Sequence, residues 1–308
     1  MNIKISVIGA GNVGGLTAMR LAEAGLGDIV LVDKVPGLAK AKALDLEDAS
    51  AVLKYNYNIQ GTEDVKEIKD SDIVVITAGL ARKPGMSREE LLNKNAEILK
   101  EICLKIKELA PQSILIVVTN PLDLMTHLAL KITHFKPQKV FGMGVSLDAA
   151  RFANLISQKL NIPQDNIDTT VLGSHGEGML PLPRFTKIKG VSLDEFLDDK
   201  EVEALISKTI NRGAEIVSLF GSGSAYFAPS LAITAIIKAI LKDEKRTVGV
   251  CAYLNGEYGI KDVCIGVPCR IGKQGIEQII ELELNSEEKA AFLKSAESVR
   301  KNLSWITT

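Results

Sequence analysis

The stretch Ile3-Lys4-Ile5-Ser6-Val7-Ile8-Gly9-Ala10-Gly11-Asn12-Val13-Gly14 decides the fold. Residues 3–8 are a short apolar run that reads as a buried strand, and residues 13–24 read as a helix. Between them lies the pattern G-x-G-x-x-G. Its first glycine permits a tight turn, its second lets backbone approach a pyrophosphate, and its third lets helix and strand pack closely. The helix N-terminus then offers free N–H groups to the phosphates. Glycine-rich turns are common, so the discriminating residue is Asp33, which ends the next apolar run 19 positions after Gly14. A carboxylate there accepts hydrogen bonds from the adenosine ribose hydroxyls of NAD and repels the 2'-phosphate of NADP. The bland alternative is a solvated carboxylate at a strand end, and Lys34 sets a positive charge beside it. Gly9, Ala10, Gly11, Asn12, Val13, Gly14 and Asp33 thus form the predicted NAD site.

Outward from that loop, short apolar runs alternate with amphipathic stretches. Residues 29–32, 73–77 and 114–118 read as further buried strands, and the alternation implies a parallel sheet with helical crossovers. The clearest helix follows Ser87. Ser87 and Glu90 have capping-box spacing, Leu91, Ile98, Ile102, Ile106 and Leu109 recur at helical intervals, and Pro111 stops the run. Around residues 141–145 the pattern changes. The expected architecture is α/β, a Rossmann-type doubly wound parallel sheet over residues 1–143 followed by a mixed α+β catalytic domain over residues 144–308. Helices are expected at residues 148–160, about 200–219, 229–240 and 287–301, the last charged enough to lie on the surface. The strands among them have no order that one sequence dictates.

With 308 residues, 46% of them hydrophobic, the chain can bury a sizeable core. Its 37 basic and 38 acidic residues are mixed along the length for a net charge of -1, so neither nucleic acid nor a membrane surface is an expected partner. No apolar run approaches the ~18 residues that span a bilayer. Met1 leads almost directly into the first strand, and a cytoplasmic location is expected. The four cysteines, Cys103, Cys251, Cys264 and Cys269, lack C-x-x-C spacing. They read as core residues in a reducing compartment, and no metal site is expected.

Hydride transfer from a small 2-hydroxy acid needs a base for the hydroxyl proton, a cation for the carboxylate, and a donor facing the carbonyl oxygen. The chain has three histidines. His127 falls within a helical pattern and His134 near its end, where positive charge is favoured. His175 stands in Leu172-Gly173-Ser174-His175-Gly176-Glu177-Gly178, a glycine-rich loop after a strand-like run. That loop is either a turn or a means of exposing the ring to a cleft. Asp148 and Arg151 lie three apart on one helix and can serve neighbouring groups, although such a pair is more often a surface ion pair.

The motifs, their order and their spacing resemble the lactate and malate dehydrogenase family over essentially all of residues 1–305, and within it the lactate-dehydrogenase-like malate dehydrogenases. The residues that carry the resemblance are Gly9 to Gly14 with Asp33, Ala81-Arg82-Lys83-Pro84-Gly85-Met86-Ser87-Arg88, Thr119-Asn120-Pro121-Leu122-Asp123, Leu147-Asp148-Ala149-Ala150-Arg151, and the His175 loop. The resemblance implies that His175 is the catalytic acid/base, that Asp148 orients it, that Arg151 holds the substrate C1 carboxylate, that Arg88 polarises the C2 carbonyl, and that Asn120 binds substrate. It also implies that Thr77, Ala78, Gly79, Asn95, Val118 and Asn120 line the cofactor. Residues 79–87 read as a loop that closes over substrate. In the family its Arg82 position resembles a specificity switch, where glutamine accompanies lactate and arginine accompanies a second carboxylate, as in malate. Lys83 is a neighbouring candidate cation. The chain departs from the family at three places beside the histidine: relatives commonly have glycine where it has Ser174, aspartate where it has Glu177, and a small hydroxyl residue where it has Gly178.

Three other readings compete: an L-lactate dehydrogenase, which Arg82 opposes; an NAD-dependent glycosidase of related fold, which needs a metal cluster not seen here; and a non-catalytic NAD-binding sensor, which would keep the glycine loop without the acid/base set. The resemblance implies a homo-oligomer, with a tetramer favoured over a dimer.

Overall fold

The computed structural model describes residues 3–56, 58–80 and 87–306, with the side chain of Arg88 outside that description. Among the described residues, six strands build the first half: β1 (Lys4–Ile8), β2 (Asp28–Val32), β3 (Ile59–Thr62), β4 (Ile73–Ile76), β5 (Ile114–Val117) and β6 (Val140–Gly142). They pair in parallel in the order β3-β2-β1-β4-β5-β6. Every residue of β4 and β5 is buried, which is why these strands are continuous apolar runs and do not alternate. The crossovers include α1 (Asn12–Glu23), α2 (Leu38–Leu53), α3 (Arg88–Leu109) and α4 (Leu122–Thr133). Ser87 caps α3 by accepting the Glu90 N–H at 3.0 Å, and Pro111 follows its end. The sheet order reverses between β1 and β4, so the loops after these two strands lie side by side, where α/β sheets bind ligands.

The second half is built from α5 (Val145–Leu160), the short strands β7 (Ile167–Asp168), β8 (Val171–Gly173), β9 (Met179–Pro181), β10 (Lys187–Ile188) and β11 (Val191–Ser192), then α6 (Asp199–Phe220), α7 (Phe227–Leu241), β12 (Arg246–Asn255), β13 (Lys261–Gly272), β14 (Gly275–Ile279) and α8 (Ser286–Leu303). Its main strands extend the first sheet. β12 joins β6 antiparallel through Cys251 and Gly142, and β13, β8 and β9 follow. Among the described residues that sheet has eleven strands, while β11, β10 and β7 form a small separate one.

Element starts differ from the sequence expectation for local reasons. α5 begins at Val145, because Gly144 (φ 40°) turns the chain directly into it. α7 begins at Phe227, with Pro229 in the first turn, where the missing N–H has no helical partner to lose. α8 lies on the surface as expected, yet it buries Phe292, Ser295, Ala296 and Val299.

Candidate active site

The glycine loop between β1 and α1 is packed as its pattern requires. A Cβ on Gly14 would overlap the Gly9 carbonyl, and one on Gly9, itself at φ +106°, would stand 2.6 Å from the Ala78 nitrogen. Gly11 has nothing within 4 Å of where its Cβ would be, so its backbone is open to a ligand. Asp33 binds the loop from the next strand, accepting the Ala10 N–H at 2.6 Å and the Val35 N–H at 2.9 Å. Lys42 of α2 crosses Gly15 and donates to the Gly11 carbonyl at 3.0 Å. A carboxylate oxygen accepts more than one bond, so Asp33 retains capacity for ribose hydroxyls beside an open phosphate loop. These features fit a dinucleotide.

The loops after β4 and β5 flank this turn. Thr77 Oγ1 donates to the Gly9 carbonyl at 2.9 Å, and the Ala78 N–H donates to Ile8 at 2.9 Å. The Val118 N–H reaches Ile76, and Gly79 and Asn120 lie exposed at the two loop ends. Asn95 is 1% exposed. Its Oδ1 accepts the Leu80 N–H at 2.7 Å, and its Nδ2 donates to the carbonyls of Asn120 at 2.8 Å and Leu80 at 3.2 Å. Its amide is committed to holding the two loops together, so it serves a cofactor through them.

Across the sheet, Asp148 of α5 is fully buried and gives one oxygen to each of two partners. Oδ2 lies 2.8 Å from His175 Nδ1, and Oδ1 accepts from Arg151 Nη1 at 3.2 Å. The His175 side chain keeps 19% exposure and that of Arg151 12%. Burial, the largest influence on His175, disfavours its charged form. The Asp148 charge and hydrogen bond, with Asp123 behind them, outweigh it and hold the imidazole above its ordinary pKa. Arg151 is pressed below its ordinary value by burial, against the pull of Asp148. With Nδ1 occupied, Nε2 is the nitrogen left for a substrate.

Two residues of this centre were given no role from sequence. Asp123, in the first turn of α4, accepts the His175 backbone N–H at 2.9 Å on Oδ2, and its Oδ1 has no hydrogen-bond partner among the described residues. Burial pushes its carboxyl up to about 6. The signal was present, a lone acid inside the apolar run Leu122, Leu124, Met125. Ser295 of α8 bonds the His175 loop from the other side, and nothing in its charged helix marks it.

The predicted residues therefore divide. The structure brings His175, Asp148 and Arg151 together, and it gathers Gly9, Ala10, Gly11, Asn12, Val13, Gly14, Asp33, Thr77, Ala78, Gly79, Asn95, Val118 and Asn120 around the neighbouring strand ends. Arg88 opens α3. Arg82 and Lys83 lie outside the described residues, as does the side chain of Arg88. His127 and His134 belong to α4, the former buried and the latter its C-cap. Among the described residues no group of three His, Cys, Asp or Glu side chains is placed to hold a metal ion.

Comparison with known proteins finds matches to both halves of the chain. Residues 3–142 match the family model for the lactate/malate dehydrogenase NAD binding domain, and residues 145–307 match the model for the lactate/malate dehydrogenase alpha/beta C-terminal domain. The chain is 48% identical over 302 residues to the malate dehydrogenase of Methanosarcina mazei, covering 98% of both chains. Its fold superposes on the malate dehydrogenase of Cryptosporidium parvum with a TM-score of 0.96 at 36% identity, covering 99% of this chain and 98% of that one. The lactate dehydrogenase of Eimeria maxima, solved with NADH and oxamate, aligns at a TM-score of 0.95 and 36% identity, covering 99% and 94%.

Proposed function

The chain belongs to the lactate/malate dehydrogenase family, and on that premise we propose that it is an NAD-dependent malate dehydrogenase, interconverting L-malate and NAD+ with oxaloacetate and NADH. The observation that carries the reading is the double engagement of buried Asp148 by His175 and Arg151, which sets a proton carrier beside a carboxylate-binding cation. Bound NADH supplies the hydride for reduction, and NAD+ accepts it in the reverse direction.

The protein's own groups manage protons and charge. Asp148 fixes the Nδ1–H tautomer and stabilises the imidazolium. Nε2 of His175 gives its proton to the C2 oxygen as oxaloacetate is reduced, and takes it back from malate. Arg151 holds the C1 carboxylate and Arg88 polarises the C2 carbonyl, while Asn120 orients the substrate. Arg82 meets the distal carboxylate. Asp33 and the Gly9–Gly14 turn hold the cofactor, so residues 1–143 bind the dinucleotide and residues 144–308 supply the acid/base pair.

Lactate is the second reading, because the fold matches a lactate dehydrogenase almost as well as a malate dehydrogenase. Arg82 favours malate, since an unpaired guanidinium against a methyl group is penalised in a closed site. Use in the tricarboxylic acid cycle, cytoplasmic residence and a homotetramer complete the proposal. Four free, buried thiols suit a reducing compartment. Exposed Val52, Leu53, Leu219 and Phe227 on α2, α6 and α7 suit helix-mediated assembly.

Initial rates with oxaloacetate and pyruvate, each against NADH and NADPH, test the reading. The oxaloacetate and NADH pair should dominate. A preference for pyruvate would replace malate with lactate, and no turnover of either acid would remove the dehydrogenase reading.

A further inference from the structure

The turn from Ser174 to Gly178 displays His175, and its two ends are tied by a side chain from far along the sequence. Ser295 of α8, 7% exposed, accepts the Ser174 N–H at 3.0 Å and donates to the Gly178 carbonyl at 2.8 Å. Its hydroxyl lies 3.3 Å from that of Ser174. The next amide, His175 N–H, goes to Asp123 at 2.9 Å. Successive donors of one turn are thus held by α8 and α4, while α5 holds the ring through Asp148.

The space inside the turn is also filled. A Cβ on residue 178 would overlap Ser174 Oγ and stand 3.0 Å from Ser295 Oγ. Gly178 is not in the left-handed region, so its backbone does not demand glycine. The Ser174 hydroxyl does. Gly173, at φ +91°, closes the other side, since a Cβ there would overlap the Gly178 carbonyl.

We propose that Ser295 is a positioning residue for His175, a hydroxyl clasp on the catalytic turn, and that Ser174 and Gly178 are a matched pair shaped to that clasp. Resting on the function proposed above, the pair is matched by space: the Ser174 hydroxyl fills the room that a side chain at 178 would need. Opening the clasp frees one backbone donor and one acceptor, lets the turn widen, and lets Nε2 swing about the Asp148 bond away from a reacting oxygen.

Three variants test it. Ser295→Ala should lower kcat for oxaloacetate reduction about tenfold, within the cost of a sub-ångström to 1 Å misplacement. It should leave the Kd for NADH unchanged and move the His175 titration, read by ring-proton NMR, down toward an ordinary histidine. Gly178→Ser should lower kcat by roughly 10- to 100-fold, and Ser174→Gly added to it should restore most of the loss, a non-additivity that only contacting residues show. Should Gly178→Ser not fold, recovery of soluble, folded protein in the double variant reads the same coupling. The clasp is overturned by a Ser295→Ala protein with unchanged kcat and unchanged His175 titration, and the matched pair by a double variant no better than Gly178→Ser. The titration needs no substrate, so failure of the function proposal is seen separately, as a wild-type chain inactive on oxaloacetate whose His175 still responds to Ser295→Ala.

Discussion

Asp148 has one carboxylate for two partners, His175 and Arg151, and it is completely buried. Because Asp148 holds His175 above its ordinary pKa, the imidazolium persists to higher pH in the folded protein than in the unfolded chain. The stability contributed by this pair is therefore fully present below the ordinary histidine value and is lost as pH rises through the raised one. Reduction needs the protonated ring, so kcat/KM for oxaloacetate should fall through the same raised value. In Asp148→Asn that midpoint should move down, and a pH–rate profile with an unmoved midpoint would take the charge of Asp148 out of the mechanism. His175→Asn should cut turnover by ~10²- to 10⁴-fold, the usual worth of general acid/base catalysis, with NADH binding within a few-fold by fluorescence titration. At the other end of the site, Asp33→Ser removes both ribose hydrogen bonds and charge repulsion. The ratio of NADH to NADPH efficiency should then fall, and an unchanged ratio would place Asp33 outside the adenosine pocket. These residues were legible because function demands rare types in fixed patterns: a strand-end acid at a set distance from a glycine turn, and a histidine between glycines. Ser295 was illegible because a serine on a charged helix has no signature until the fold brings it 121 positions back along the chain to Ser174.

Elements were legible where one physical rule governs them and obscure where pairing depends on distant partners. The strands of the parallel sheet stand out as apolar runs, and α3 stands out by its Ser87 cap and 3.6-residue period. β12 and β13 are the longest strands, pairing antiparallel over Arg246–Asn255 and Lys261–Gly272, yet their place in the sheet follows from β12 meeting β6, which no local pattern encodes. The function of residues 79–87 is read from sequence, since Arg82 lies outside the described residues. If Arg82 meets the distal carboxylate in a closed site, Arg82→Gln breaks a buried, hydrogen-bonded charge pair. That costs roughly 2 to 5 kcal/mol, or about 30- to several-thousand-fold in kcat/KM for oxaloacetate. Pyruvate, which lacks that carboxylate, should lose far less. Equal losses for the two substrates would assign the distal carboxylate to another cation, with Lys83, next in sequence, the first candidate.

At the scale of the molecule, the site stands where two halves meet, and those halves are one body mechanically. The sheet runs across residue 143 through Cys251 and Gly142. The main buried core contains Val117 from the first half together with Ile265 and Phe292 from the second, and Arg20 of α1 donates to Ser230 of α7 at 3.0 Å. Gly142 shows how closely the halves fit, because a Cβ there would lie 3.1 Å from Cys251 Cβ. A ligand held by the glycine loop must therefore stabilise structure far from it. NADH at 100 times its Kd adds ~2.7 kcal/mol to the folded state by mass action, and for a chain of this size that is a rise in Tm of roughly 5 °C. Differential scanning calorimetry should show one transition that moves as a unit. Hydrogen exchange should show NADH slowing global opening equally in peptides from β4 and β5, beside the cofactor loops, and in peptides from β13 and α8, which belong to the second half. Were the halves independent, calorimetry would resolve a second transition indifferent to NADH, and protection of β13 and α8 would not change. Cooperative unfolding also bears on catalysis. His175 is held by α4, α5 and α8, and only a body that opens as a whole keeps three separate helices in register around one imidazole.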